Sequence, residues 1–403
     1  MQTRIHENLA GDPLVAEADD ILRACVHCGF CTAVCPTYQI LGDEADGPRG
    51  RIYLIKNFLE EDAIDASAVA HLDRCLTCRS CETTCPSGVQ YGRLLDIARG
   101  FTEQRITRSV RERLLSVGLR ITVPNVAVIS LLYWLGRLLR PLLPRVLRSK
   151  IPGLAVSAPL ATGTAQATEE VVVLEGCAQR AATPGVNRDL EKLLAIHGVA
   201  VRRVAAEGCC GALDYHLSAQ DKGLARMRRM CDALWPAVEA GVTSIVSTAS
   251  GCGVMVKEYG DLLANDPDYA DRARRISELC VDGTELLERF SFTCEPARVA
   301  VHSPCTLQHG QQLPDALPAL LTNAGMTLTA TRDSHLCCGS AGTYSIMQPA
   351  LSAELATRKV HALTGDDPDV IVTANVGCHI QLSGIAETPV MHYATFIASR
   401  LRG

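Results

Sequence analysis

Residues 25–36 read Cys25-Val-His-Cys28-Gly-Phe-Cys31-Thr-Ala-Val-Cys35-Pro36, and residues 75–86 read Cys75-Leu-Thr-Cys78-Arg-Ser-Cys81-Glu-Thr-Thr-Cys85-Pro86. Both are C-x2-C-x2-C-x3-C-P, and the second repeats the first 50 residues later. Three cysteines at this spacing let one tight loop wrap three corners of a cubane, while the fourth reaches a neighbouring cluster instead. The spacing therefore assigns one [4Fe–4S] cluster to Cys25, Cys28, Cys31 and Cys85. A second falls to Cys75, Cys78, Cys81 and Cys35. Crossed ligation of this kind holds the two clusters close enough for rapid electron hopping. Pro36 and Pro86 end each loop by removing a backbone donor and restricting the residue before them. A zinc ribbon is the competing reading, but it needs two C-x2-C pairs rather than two four-cysteine runs each closed by proline. Between the runs, residues 49–61 predict a helix whose apolar side carries Ile52, Leu54, Ile55, Phe58 and Leu59.

The rest of the composition narrows the class. A chain of 403 residues suggests two or three domains. With 47% hydrophobic and 21% charged residues it can bury an ordinary core. A net charge of −5 and an aromatic content of 4% argue against a nucleic-acid partner, for want of a basic footprint and of stacking platforms. The 19 cysteines raise the alternative of a secreted disulfide scaffold. Such scaffolds are short and follow a signal peptide, whereas residues 1–20 here are polar and acidic without an apolar core segment. The expectation is a reducing, cytoplasmic compartment with thiolates committed to metal.

Residues 104–168 form the next segment. Arg105, Arg108, Arg111, Arg113 and Arg120 precede an apolar stretch, VAVISLLYWLG at 126–136, and Arg137, Arg140, Arg145, Arg148 and Lys150 follow it. The apolar run is short of the roughly twenty residues that span a bilayer. Two readings stay open. In one, the segment lies in a membrane interface with Tyr133 and Trp134 at headgroup level and arginines on anionic lipid. In the other, it is a helical hairpin packed on a neighbouring domain or partner subunit. Residues 155–168 are small and polar and read as a linker.

From Val171 the chain repeats itself. The run ending at Cys177 matches the run ending at Cys305, and Cys209-Cys210-Gly211 matches Cys337-Cys338-Gly339, both offset by 128 residues. The run ending at Cys252 matches the run ending at Cys378, offset by 126. Three anchors in one order at nearly one offset make an internal duplication. Each half alternates short β-branched runs with helical stretches, predicting a parallel sheet with its cysteines at the strand C-termini. Helices are expected over 190–197, 222–240, 317–323 and 350–363, and late strands over 244–248 and 370–373. Gly211 and Gly339 suit backbone geometry that a Cβ would obstruct. The domains read as 1–103, 104–168, 169–296 and 297–403. The fold class is α+β, a helical two-cluster ferredoxin followed by two duplicated α/β halves.

Each half resembles the cysteine-rich "CCG" domain that occurs twice in one of the subunits of heterodisulfide reductase and in its relatives. Those domains end in C-x2-C and hold an unusual noncubane [4Fe–4S] cluster. Here Ala249 and Asn375 stand in place of the first cysteine of that final pair. Four thiols remain per half: Cys177, Cys209, Cys210 and Cys252, then Cys305, Cys337, Cys338 and Cys378. They suit one iron–sulfur cluster, one zinc, a redox-active pair, or plain packing as small hydrophobes. His302, His309, His335 and His379 lie near the second set as metal ligands, proton relays or structural residues. Cys231, Cys280 and Cys294 fall outside every motif and read as ordinary thiols.

The whole architecture resembles the iron–sulfur subunits of glycolate oxidase, of L-lactate utilisation complexes and of anaerobic glycerol-3-phosphate dehydrogenase. The wide spacing of the two cysteine runs looks like the helical ferredoxin modules of such dehydrogenases. The stretch from Cys25 through Cys35-Pro-Thr-Tyr-Gln, Gly42-Asp-Glu and Asp46-Gly-Pro-Arg-Gly-Arg-Ile-Tyr53 points to the glycolate oxidase group. That resemblance implies FAD-binding partner subunits that oxidise glycolate to glyoxylate, a quinone acceptor, and a place at the inner face of the cell membrane. The chain carries no G-x-G-x-x-G fingerprint and no Walker loop, so substrate oxidation is expected on the partners. A heterodisulfide reductase-like activity is the contrasting expectation, weakened by the missing fifth cysteines.

Overall fold

In the computed structural model, which describes residues 1–142, 151 and 167–402, the first hundred residues are helical. Asp12 accepts a hydrogen bond from the Leu14 N–H and so caps the Pro13–Ala24 helix. The helix expected between the cysteine runs spans Pro48–Glu61, started by a proline whose missing N–H costs nothing in a first turn. It buries Ile52, Ile55, Phe58 and Leu59, and leaves Leu54 half-buried. The Tyr91–Glu103 helix buries Leu94, Leu95, Ile97 and Ala98. These faces meet in one core with Val15 and Leu22. Each such aliphatic or aromatic side chain contributes about 1.5–3 kcal/mol through burial.

The Arg-rich segment is a bent pair of helices, Val110–Thr122 and Val126–Leu138, whose axes turn by 103°. Ser109 and Glu112 close a capping box at the first, and Asn125 caps the second. No single helix among the described residues is long and apolar enough to cross a membrane. The pair packs mainly on the first cysteine-rich half and reaches Val376 of the second. Tyr133 sits against Ala182, Ala249 and Val376, and Arg120 pairs with the buried Asp214 at 2.9 Å. Tyr133 is thus turned into the protein rather than outward with Trp134, which is exposed. Arg145, Arg148, Lys150 and nearly all of the 155–168 linker lie outside the described residues.

The duplicated region forms two four-stranded parallel sheets of identical topology. The first has β1 (Glu169–Leu174), β2 (Val199–Arg202), β3 (Ser244–Ser247) and β4 (Cys280–Asp282), in the order β2-β1-β3-β4. The second has β5 (Arg298–His302), β6 (Thr327–Leu328), β7 (Val370–Thr373) and β8 (Val390–His392), in the order β6-β5-β7-β8. The expected helices appear at Gly185–Ala195, Gln220–Glu239, Ala316–Asn323 and Pro349–Thr364. Residues from both sheets share one apolar core, including Val173, Val246, Val299 and Val372. The Gly185–Ala195 helix packs on Tyr393–Arg400, and its repeat equivalent Ala316–Asn323 packs on Gly283–Leu287. Such reciprocal contacts relate the halves by an approximate two-fold axis.

Candidate functional site

Both cysteine runs turn with the same backbone pattern. His27 and Gly29 have φ of 56° and 85°, and Thr77 and Arg79, at the equivalent places, have 54° and 61°. Left-handed residues at these points curl each loop around its thiols, and the Thr77 N–H points at Cys75 Sγ from 3.4 Å. Cys25, Cys28, Cys31 and Cys85 line one cavity with Ile52 and Val89. Cys35, Cys75, Cys78 and Cys81 line a second with Leu76 and Arg51. Cys81 and Tyr91 border both. The fourth cysteine of each run therefore lies with the first three of the other. Burial raises the Cys31 and Cys81 thiols, so they stay protonated until a metal displaces the proton.

Arg51, 1% exposed, is a cation built beside the second cavity. It donates to Thr37 Oγ1 at 3.1 and 3.2 Å, to Asp46 Oδ1 at 3.4 Å and to the His71 carbonyl at 2.7 Å. Burial opposes its charge, but Cys75, Tyr91, Cys35 and Asp46 outweigh that and keep it protonated. Four thiols, apolar walls and a fixed cation fit a [4Fe–4S] cluster, whose thiolate ligation leaves net negative charge to be balanced.

In the first cysteine-rich half, Cys177 opens a short helix just beyond β1, and Cys252 lies in the Ser250–Lys257 helix beyond β3. Cys177 and Cys209 Sγ are 3.7 Å apart. Hydrogen bonds from Cys177 and Cys210 hold Cys209 well below the ordinary thiol range, and the same contacts push its two neighbours up. Nearby, Glu207 accepts from the Glu175 and Gly176 N–H groups, and burial raises it to about 7. The glycine of each Cys-Cys-Gly is required: φ is 90° at Gly211 and 79° at Gly339, and a Cβ there would meet the Gly223 or Ser352 carbonyl oxygen at 2.8 or 2.6 Å.

The second half repeats this with different surroundings. Cys305 and Cys337 Sγ are 3.9 Å apart, and a ring nitrogen of His302 and the Sγ atoms of Cys338 and Cys378 lie within 4.8 Å of one another. Asn375 donates to Cys378 Sγ at 3.5 Å from the place of the missing cysteine. Lys359, 2% exposed, points Nζ at the Asp333 and Ser334 carbonyls, and burial lowers it to about 8. Sequence reading missed both Arg51 and Lys359, because a helical cation reads as solvated. Of the four histidines, His309 bonds Thr83 and the His335 carbonyl, and His379 bonds the Val390 carbonyl. Cys231, Cys280 and Cys294 are buried, and the first two share the apolar core that holds Cys210.

The second cavity abuts the second half directly. Cys78, Cys305 and Cys337 share an apolar cluster with Leu76, Tyr344 and Leu355. Burial and then the facing Cys305 push the Cys78 thiol up. Tyr344 Oη donates to the Arg74 carbonyl at 3.0 Å, and Arg79 pairs with Glu258 of the first half.

Two cysteine-lined cavities in a helical module, docked on two cysteine-rich α/β halves, define an iron–sulfur protein built to carry electrons. Residues 21–89 match the 4Fe-4S dicluster domain, and residues 171–257 and 299–383 match the cysteine-rich domain family. The chain is 50% identical to the glycolate oxidase iron–sulfur subunit of Escherichia coli (strain K12), over 100% of this chain and 99% of that one. It is 29% identical to a probable glycolate oxidase iron–sulfur subunit of Bacillus subtilis (strain 168), over 90% and 88%. Lactate utilization protein A of Shouchella clausii is 25% identical and aligns with 51% of this chain and 86% of its own. A crystal structure of a hypothetical protein from Helicobacter pylori shares the fold, with a TM-score of 0.55 at 9% identity over 97% of this chain and 73% of that one. The chain belongs to the family of glycolate oxidase iron–sulfur subunits.

Proposed function

We propose that this chain is the electron-transfer subunit of a membrane-associated glycolate dehydrogenase, taking electrons from flavoprotein partners and passing them towards a quinone. Cys25, Cys28, Cys31 and Cys85 would hold one [4Fe–4S] cluster, and Cys35, Cys75, Cys78 and Cys81 the other. Bound clusters supply reversible one-electron chemistry. The observation that carries the route is the shared wall of Cys78, Cys305 and Cys337, which leads from the second cavity into the second cysteine-rich half. The residues of this chain hold the thiolates in place, shield them with Leu76 and Leu355, and fix a cation, Arg51, at the second cavity. Each cysteine-rich half would hold a further iron–sulfur cluster or a zinc through its four thiols.

Full-length likeness to glycolate oxidase subunits favours glycolate over lactate, since the lactate-type relative aligns with only 51% of this chain. A membrane contact is supported by the bent helix pair. Val110, Leu114, Val117 and Ile121 form one exposed apolar stripe, and Leu131, Leu135 and Leu138 a second, with arginines at their ends. The test is the anaerobically purified complex of this chain with its flavoprotein partners. Glycolate should reduce both ferredoxin centres, read by electron paramagnetic resonance, and the complex should float with anionic vesicles. Reduction by lactate or glycerol 3-phosphate but not by glycolate would overturn the substrate. A complex that stays in the soluble fraction with vesicles present would overturn the membrane contact.

A further inference from the structure

The two cysteine-rich halves are unequal, and the differences cluster on one site. At the 128-residue repeat offset, His302 corresponds to Leu174 and Lys359 to Cys231, and at the 126-residue offset Asn375 corresponds to Ala249. Each change puts a polar group around the second set of thiols where the first set has an apolar or thiol neighbour.

His302 ends β5 on the side where the sheet gathers its cysteines. It is 1% exposed, and its Nδ1 lies 2.9 Å from Thr373 Oγ1 on the adjacent strand β7. Its Nε2 is buried and has no hydrogen-bond partner among the described residues. An unpaired buried ring nitrogen is costly, which favours a partner for it. Nδ1–H donating to Thr373 leaves Nε2 as a lone pair, which is how an outer hydrogen bond prepares a metal-ligating imidazole. The ring sits within 4.8 Å of Cys338 and Cys378 Sγ, the spread that ligand atoms around one metal centre occupy. Asn375, where a fifth thiolate would stand, instead donates to Cys378 Sγ.

We propose that His302 Nε2 is a metal ligand in the second cysteine-rich half, replacing the missing thiolate and giving that half a mixed histidine–cysteine centre beside Cys338 and Cys378. The first half, with Leu174 at the equivalent place, has thiols alone. Exchange of a thiolate for a neutral imidazole removes one negative charge and raises the potential of an iron–sulfur centre. The second half would thereby be the better electron acceptor of the two, at the place where Cys78 meets Cys305. This inference rests on the reading that the half holds a metal centre, and its test separates the two.

The full chain would be purified anaerobically as wild type, His302→Gln, His302→Cys and, as a control, Cys177→Ser. Iron, zinc and sulfide would be counted, and histidine nitrogen coordination read by pulsed paramagnetic resonance with 15N-histidine labelling, or by X-ray absorption at zinc. Wild type should hold metal beyond the roughly eight iron of two cubanes, with an imidazole nitrogen bound. His302→Gln should lose that nitrogen signal together with one centre's metal. His302→Cys should keep the metal and lose the nitrogen, which also shows that the half folds without the imidazole. Cys177→Ser should leave the nitrogen signal intact. Metal content and nitrogen coupling unchanged in both His302 variants would overturn the ligand while leaving the metal centre standing. A wild type with eight iron and no further metal would overturn both.

Discussion

Cys35 separates crossed from uncrossed ligation. It follows Cys31 by four residues in sequence, yet it lines the cavity of Cys75, Cys78 and Cys81. Its Sγ is held 3.3 Å from Thr37 Oγ1, and Arg51 binds the same hydroxyl, so this thiol belongs to a fixed polar cradle. Cys35→Ser should therefore damage the second centre, with up to about four iron lost, and leave the spectrum of the first. Cys85→Ser should do the reverse. Electron paramagnetic resonance of the dithionite-reduced variants checks this, and loss of only the first centre in Cys35→Ser would sink the assignment. The grouping of these thiols is legible in sequence because the spacing within each loop is a local property. Arg51 and Lys359 were not legible, since their charge is buried by residues far away in the chain, such as His71 for one and Asp333 for the other.

At the scale of elements, the edge strands β4 and β8 carry the joint between the halves. Asp282 ends β4 and caps the Gly283–Leu287 helix, and His392 ends β8 and caps Tyr393–Arg400. His392 Nε2–H donates to the Thr248 carbonyl of the first half at 2.9 Å, while Nδ1 accepts from the Ala394 N–H at 3.3 Å. Both nitrogens are committed to the neutral ring. Burial, with His379 nearby, lowers its pKa from 6.5 to about 3. Between those values the unfolded chain binds a proton that the folded one refuses, so stability falls as pH drops through 6.5. At pH 5 the loss is about 2 kcal/mol, from 1.4 kcal/mol per pH unit. Denaturant titrations at pH 7 and pH 5 should show that loss in the wild type and a smaller one in His392→Gln, whose amide can still donate to Thr248. Equal pH dependence in both would refute the assignment. Neither edge strand was expected from sequence, because three residues are too few for a period to declare itself. Gln220–Glu239 and Pro349–Thr364 were, because their apolar faces repeat over several turns, whereas Pro13–Ala24 and Tyr91–Glu103 were not expected.

Across the whole molecule, the two cysteine-rich halves meet the ferredoxin module through unequal contacts. On the second-half side, Cys78 faces Cys305 and Cys337 through a shared apolar wall, and Thr83 meets His309 at 2.9 Å. On the first-half side the described contacts are polar and involve none of the four site thiols: Arg79 with Glu258, Arg93 with Tyr215 at 2.6 Å, His216 with Asp96 at 3.0 Å. The duplication was legible from its three cysteine anchors, but this inequality was not, because the docking of residues 78 and 305 depends on the assembled surfaces of both domains. It yields a directional expectation. In the complex with its flavoprotein partners, Cys378→Ser should leave both ferredoxin centres reducible by substrate while slowing delivery to a quinone at least tenfold, the cost of lengthening the path by one centre. Cys252→Ser, the equivalent change in the first half, should slow it much less. Freeze-quenched paramagnetic resonance beside quinone reduction rates separates the steps. Equal slowing by the two variants would mean that electrons cross both halves in series. Slowing by Cys252→Ser alone would reverse the route.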